Sequence, residues 1–184
     1  MKKIIAFIVI ACIINLQGYA QKFYTKNGSI SFFSAATLEN IKADNNQVMS
    51  VINTQTGELQ FSVLINGFRF KKQEMEDHFN EDYMESTKYP KATFKGKIVN
   101  LSSIDFSKDG TYKAVVSGDL MMHGITKQNF STEGIITIKG GKIAASAKFI
   151  VLLKDYNIKI PKILASNIAE KIEITVSCNY PNKM

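Results

Sequence analysis

The chain has 184 residues, a formal charge of +7 and 45% hydrophobic residues, a length and composition that fit one globular domain. Two cysteines are too few for a disulfide scaffold. The lysines are spread singly, Arg69 is the only arginine and no nucleic-acid motif occurs, which excludes a nucleic-acid-binding module.

Residues 1–20 read as a secretory signal. Lys2 and Lys3 form a positive start, Ile4 to Leu16 an apolar run, and Gly18-Tyr19-Ala20 a small-residue cleavage site before Gln21. The apolar run is shorter than the roughly 20 residues of a membrane-spanning helix. The expected location is periplasmic or secreted. Val9-Ile10-Ala11-Cys12 resembles a lipoprotein box, but Ile13 and Ile14 continue the apolar run past it, so acylation of Cys12 is the minor alternative. Cleavage removes Lys2 and Lys3 and leaves +5, compatible with weak attraction to an anionic membrane surface. Cys178 is then the only thiol, placed by parity on a buried strand face.

Along the remaining chain, period-two alternation dominates. Phe23–Ser34 form the first strand. Residues 37–47 are polar, carry Asn45-Asn46 and read as a loop, leaving Val48–Asn53 as a short strand. After the turn Thr54-Gln55-Thr56-Gly57, Glu58–Phe70 alternate until Gly67, where the apolar parity shifts and a bulge or bend is expected. Met75, Phe79 and Tyr83 recur at helical spacing amid acidic residues, predicting one or two helical turns that end before Pro90. Ala92, Phe94, Gly96 and Ile98 mark the next strand. Ser107-Lys108-Asp109-Gly110 reads as an Asp-Gly hairpin turn.

A long hairpin follows. Tyr112, Ala114, Val116, Gly118, Leu120 and Met122 share one face, His123-Gly124 supplies the turn, and Phe130, Thr132, Gly134, Ile136 and Ile138 return. Lys139-Gly140-Gly141-Lys142 makes a second tight turn into Ile143–Leu153. Asp155–Ala169 interrupt the pattern as a loop and short helix, and Glu170–Cys178 form the last strand. About eight strands at hairpin spacing, each with one apolar face, predict an all-β fold: an extended antiparallel barrel with one or two short helices.

The inward faces mix large residues with Ala92, Gly96, Ala114, Gly118, Ala145 and Ala147. Such a mixture suits either ordinary packing in a tapering barrel or an apolar cavity. Phe61, Val63, Phe94, Val116, Leu120, Met122, Phe149 and Val151 are the candidate lining, from strand parity. His78–Tyr83 and Asp155–Ile168 are candidate covers. Polar chemistry is sparse. The only histidines, His78 and His123, lack a third metal ligand at recognisable spacing, and there is no nucleophile elbow or phosphate loop. The expectation is a non-catalytic protein without metal or cofactor. An enzyme using His123 or His78 as acid/base is the competing class, and an envelope stress or structural protein with a filled barrel the third.

Three segments carry a resemblance. Tyr89-Pro90-Lys91-Ala92-Thr93-Phe94 resembles the YP-x-x-x-F element of the YceI-like family. Gly118-Asp119-Leu120 through His123-Gly124-Ile125-Thr126-Lys127 resembles its GDL-x-x-HG-V-T-K hairpin. Asp155-Tyr156-Asn157-Ile158 is similar to its D-F/Y-G-I region, with Asn157 in place of Gly. The early His motif of longer members is missing, so the chain looks like a shorter, divergent branch. The resemblance implies a lipocalin-like barrel of an exported protein that holds an isoprenoid or other long apolar lipid. Burial of such a tail yields roughly 25 cal/mol per Å² of apolar surface. Exposed strand edges would allow a homodimer, though no stretch requires one.

Overall fold

A computed structural model describes residues 22–35, 40–161 and 168–184. The signal segment 1–20 with Cys12 and residues 162–167 of the second candidate cover therefore lie outside the described residues. Ten antiparallel strands form one sheet: β1 (Lys22–Ser34), β2 (Ile41–Asn53), β3 (Glu58–Leu64), β4 (Arg69–Phe70), β5 (Lys91–Ile98), β6 (Gly110–Met122), β7 (Ile125–Lys139), β8 (Lys142–Leu152), β9 (Lys171–Tyr180) and β10 (Asn182–Lys183). Because β1 pairs with both β9 and β2, the sheet closes on itself as an eight-stranded barrel, the expected fold class. β4 and β10 are two-residue additions on β2 and β1.

The alternation seen in the sequence is what closes the wall. Leu59, Val63, Phe94, Ile98, Ala114, Val116, Ile136 and Ile138 are buried, while the intervening Gln60, Lys95, Lys97, Lys113 and Thr137 are exposed. His123 and Gly124 join β6 to β7 with φ of +51° and +73°, the left-handed pair that a two-residue hairpin requires. Gly140 and Gly141 do the same between β7 and β8, and the Gly140 N–H donates to Asp109 Oδ1 at 2.9 Å.

Three local expectations need correction. The loop expected over 37–47 is strand from Ile41 onward, the first half of β2. Its inward positions are Ala43 and Asn45, too small and too polar to signal a strand face. Asn45 is fully buried because its amide donates to Leu64 O (2.9 Å) and its carbonyl accepts from Gln47 N (2.8 Å). The single strand expected over Glu58–Phe70 is two, β3 and β4, separated by a 3-10 turn at Ile65–Gly67 that supplies the bend expected at Gly67. Asp109-Gly110 does not form a hairpin: β5 and β6 are joined by residues 99–109, which include a 3-10 turn at Leu101–Ser103.

Between β4 and β5 the chain forms helix α1 (Gln73–His78), continued by a π turn over Phe79–Tyr83. Glu76 anchors it, accepting from Arg69 Nη1 at 2.9 Å and from the Phe70 N–H at 3.2 Å. Phe79 drops into a box of Phe32, Phe68 and Phe70, with ring centroids 5.1–5.5 Å away. The helical segment thereby covers the barrel end where β1, β3, β6 and β8 terminate. At the opposite end Ser50 Oγ donates to Gln60 O (2.9 Å) and meets Tyr180 Oη at 2.8 Å, so the buried hydroxyls there are satisfied.

Candidate functional site

The barrel is hollow. A cavity of about 730 Å³ runs along its axis. At roughly 30 Å³ per water-sized group, that is space for on the order of two dozen methylene-sized groups. All eight residues singled out by parity border it: Phe61 and Val63 from β3, Phe94 from β5, Val116, Leu120 and Met122 from β6, and Phe149 and Val151 from β8. Parity alone also marks Phe130 and Ile136 on β7 and Ile172, Ile174 and Val176 on β9, which complete the lining. Ile30, Phe32, Phe68 and Phe70, which line the covered end, were missed. Ile30 and Phe32 share a face of the first predicted strand and could have been named from parity, whereas Phe68 and Phe70 lie beyond the parity shift at Gly67.

The small inward residues divide into two groups. Ala92, Ala114, Ala145 and Ala147, with Gly134, border the cavity and leave room in it. Gly96 and Gly118 do not; a Cβ on Gly118 would lie 2.4 Å from Gly96 Cα, so this pair exists because β5 and β6 approach too closely for side chains.

Among the described residues, no strand residue bordering the cavity is charged. The charged groups at its edge, Lys72, Glu74, His78 and Asp82, all belong to the covering helical segment and its first flanking residue. His78 Nδ1 lies 2.7 Å from Asp82 Oδ2 and its Nε2 lies 3.9 Å from Glu74, on an exposed face. The hydrogen bond to Asp82 raises the His78 pKa above its ordinary value.

His123 is placed differently. It is buried in the β6–β7 turn, and its Nδ1 lies 2.8 Å from Tyr156 O. Its Nε2 faces Glu85 Oε1 at 3.3 Å without a well-aligned hydrogen bond, and its ring meets Tyr89 edge-on at 4.6 Å. Glu85 also bonds Lys88, which is the first cause of its lowered pKa. Lys127 pairs with Asp155 beside this group. His123 does not border the cavity. Among the described residues no three His, Cys, Asp or Glu side chains converge as a metal site. Burial pushes the Cys178 thiol up to about 12, which leaves it without nucleophilic thiolate at neutral pH.

The YceI-like domain profile matches residues 15–180, nearly the whole described barrel. The chain belongs to the YceI-like family. Solved structures agree on the fold. A polyisoprenoid binding domain from Saccharophagus degradans, implicated in plant cell wall breakdown, superposes with a TM-score of 0.73 at 15% identity, over 88% of this chain and 97% of that one. BcnA of Burkholderia cenocepacia gives 0.65 at 13% identity, covering 83% of this chain and 95% of its own. The YceI protein of Campylobacter jejuni gives 0.57 at 17%, covering 82% and 88%. No curated protein matches the chain.

In this YceI-like chain the three motif segments meet at one spot. Tyr89 meets His123 edge-on and leaves no space for a Cβ on Gly124, which would lie 2.6 Å from the Tyr89 ring. Tyr156 O receives the His123 ring nitrogen, and Lys127 holds Asp155. Asn157 follows with φ of +55°, a left-handed conformation that Asn tolerates nearly as Gly does. The motif residues therefore form a clasp that ties the β6–β7 turn to the segments flanking β5 and β8. It lies outside the cavity.

Proposed function

We propose that this protein is an exported, non-catalytic carrier or scavenger that holds one long apolar chain, of the polyisoprenoid class, inside its barrel. The observation that carries this reading is the 730 Å³ cavity, whose strand-borne lining has no charged residue. An apolar cavity of this size within a rigid wall captures ligand chiefly by removing apolar surface from water. The similarity to a protein described as a polyisoprenoid binding domain supports the ligand class. Export rests on the signal-like residues 1–20. The eight lining residues named from the sequence, Phe61 to Val151, are then ligand contacts. A Cys178 thiol pushed up to about 12 and a His123 enclosed in the clasp support a role without turnover.

The test is native mass spectrometry of the protein purified from its own envelope, followed by organic extraction. Co-purifying masses spaced by isoprene units are expected. A bare protein mass, together with failure to take up added long-chain isoprenoids, sinks the reading.

A further inference from the structure

The barrel wall is not equally sealed all round. β7 and β8 pair from the Gly140-Gly141 turn only as far as Gly134↔Ala147. Beyond that point, toward the covered end, residues 125–133 of β7 pair with β6 alone and residues 148–152 of β8 with β9 alone. A register shift opposite Gly118/Leu120, with Asn129 at φ +55°, marks a bulge within the stretch of β7 that lacks β8 pairing.

Other interruptions in the wall are filled. The β2–β3 pairing also stops short, but Asn45 bridges to Leu64 O and β4 resumes the ladder. Beyond its pairing with β9, β1 is met by β10 at Phe23 and Tyr24, and between them the Cys178 side chain closes on Gly28, leaving no space for a Cβ there. Among the described residues no backbone pairing fills the β7–β8 split. It is spanned by side chains: the Phe130 and Phe149 rings, edge to face at 5.1 Å, and the Lys127–Asp155 ion pair above them. Both rings border the cavity, as do Ile135 and Ser146, whose side chains point to the outer face where the split begins. Ile135 and Ile150 are exposed on that outer face.

We propose that the β7–β8 split is a lateral portal through which the apolar chain of the ligand passes in and out of the barrel, gated by Phe130 and Phe149. This rests on the cargo reading above. Separating two rings, beneath a rim that the Lys127–Asp155 pair keeps in place, disturbs less than breaking any continuous ladder of backbone hydrogen bonds, so the wall opens here first. The exposed isoleucines give the chain an apolar approach, and Phe130 and Phe149 pass it into the cavity.

The test staples the split. Glu133 and Lys148 come next in register after Gly134↔Ala147. Glu133→Cys with Lys148→Cys, in a Cys178→Ala background lacking residues 1–20, gives a reducible disulfide across the seam. The probe is geranylgeraniol supplied in phosphatidylcholine vesicles, with uptake followed by native mass spectrometry. The oxidised form is expected to load about tenfold or more slowly than the same protein after reduction, as when a gate is held shut. Equal rates overturn the portal while leaving the cargo reading intact. Uptake by neither form, nor by the unmodified protein, overturns both. Phe130→Ala is the second variant and needs no disulfide: removing one gating ring is expected to speed uptake and release, and unchanged or slower rates overturn the proposal.

Discussion

Filling the cavity distinguishes a hollow barrel from a packed one by the sign of a stability change. Ala147 sits on β8 between Gly134 and Val176 and faces the cavity. Ala147→Phe places a phenyl ring where the structure has open space. Full burial of a Phe side chain stabilises by about 1.5–3 kcal/mol, and an Ala→Phe exchange in a cavity should retain about 1–2 of these. Phe also favours strand conformation over Ala. In a packed core the same ring would strain its neighbours and cost about 1–3 kcal/mol. For a domain of this size 1 kcal/mol shifts Tm by about 2–4 °C. The ligand-free variant should therefore melt about 2–8 °C higher than the parent, by differential scanning calorimetry. Ligand should reverse the order. Geranylgeraniol at 100 times its Kd stabilises the parent by about 2.7 kcal/mol, whereas the partly filled variant binds it poorly and gains little. A ligand-free variant that melts lower than the parent would refute the hollow barrel.

Further outcomes follow from the clasp, the cover and the thiol. His123→Ala leaves Tyr156 O without its ring partner, so urea unfolding should show a loss of about 1–3 kcal/mol while geranylgeraniol capacity is kept; a folded variant that no longer binds would count against a purely structural clasp. Asp82→Asn should bring the His78 pKa down toward 6.5, seen in the NMR titration of its ring protons, because Asp82 is the first cause of its elevation. A raised folded pKa means that the His78 pair contributes in full below the unfolded value and fades as pH rises through the folded one. The Tm difference between parent and Asp82→Asn should thus be larger at pH 5 than at pH 9, and an inverted trend would contradict the assignment. In protein lacking residues 1–20, Cys178 should resist a thiol reagent until the barrel unfolds, since it is fully buried; rapid native labelling would show that the β9 face opens.

The barrel was legible because its walls obey a period of two with one apolar face, a local signal that survives in a single sequence. Its failures share one cause. The first half of β2 hides behind Ala43 and Asn45, whose places are fixed by pairing with β1 and by Leu64 O, contacts that the alternation of residues 41–47 does not reveal. The Asp-Gly hairpin was a correct local preference that lost to the pairing of Ile98 with Val116, after which residues 99–109 must loop out. The lining was legible for the same reason as the walls. Hollowness was not, because parity says which way Ala114 and Ala147 point but not whether anything reaches them from across the barrel.

The same distinction separates the motif from the site. The residues that mark the family, Tyr89, His123, Gly124, Lys127 and Asp155, carry specific chemistry and specific spacing, so they draw a search for function to themselves. The structure spends that chemistry on a clasp: a ring nitrogen on a carbonyl, a tyrosine over a glycine, one ion pair across two segments. The clasp sits at the end of the barrel where β7 and β8 have separated, and the Lys127–Asp155 pair links β7 to the turn after β8 above that gap. A wall that must part along one seam needs its ends held together, or thermal motion would unzip the neighbouring ladders as well. On this argument the family motif and the gap are two halves of one design: the clasp fixes the rim so that Phe130 and Phe149 alone can move. Breaking it should loosen β7 along its length, and hydrogen exchange of residues 125–133 in His123→Ala should accelerate more than that of β3 and β5. Uniform acceleration across the barrel would mean that the clasp supports the fold as a whole and has no special tie to the seam.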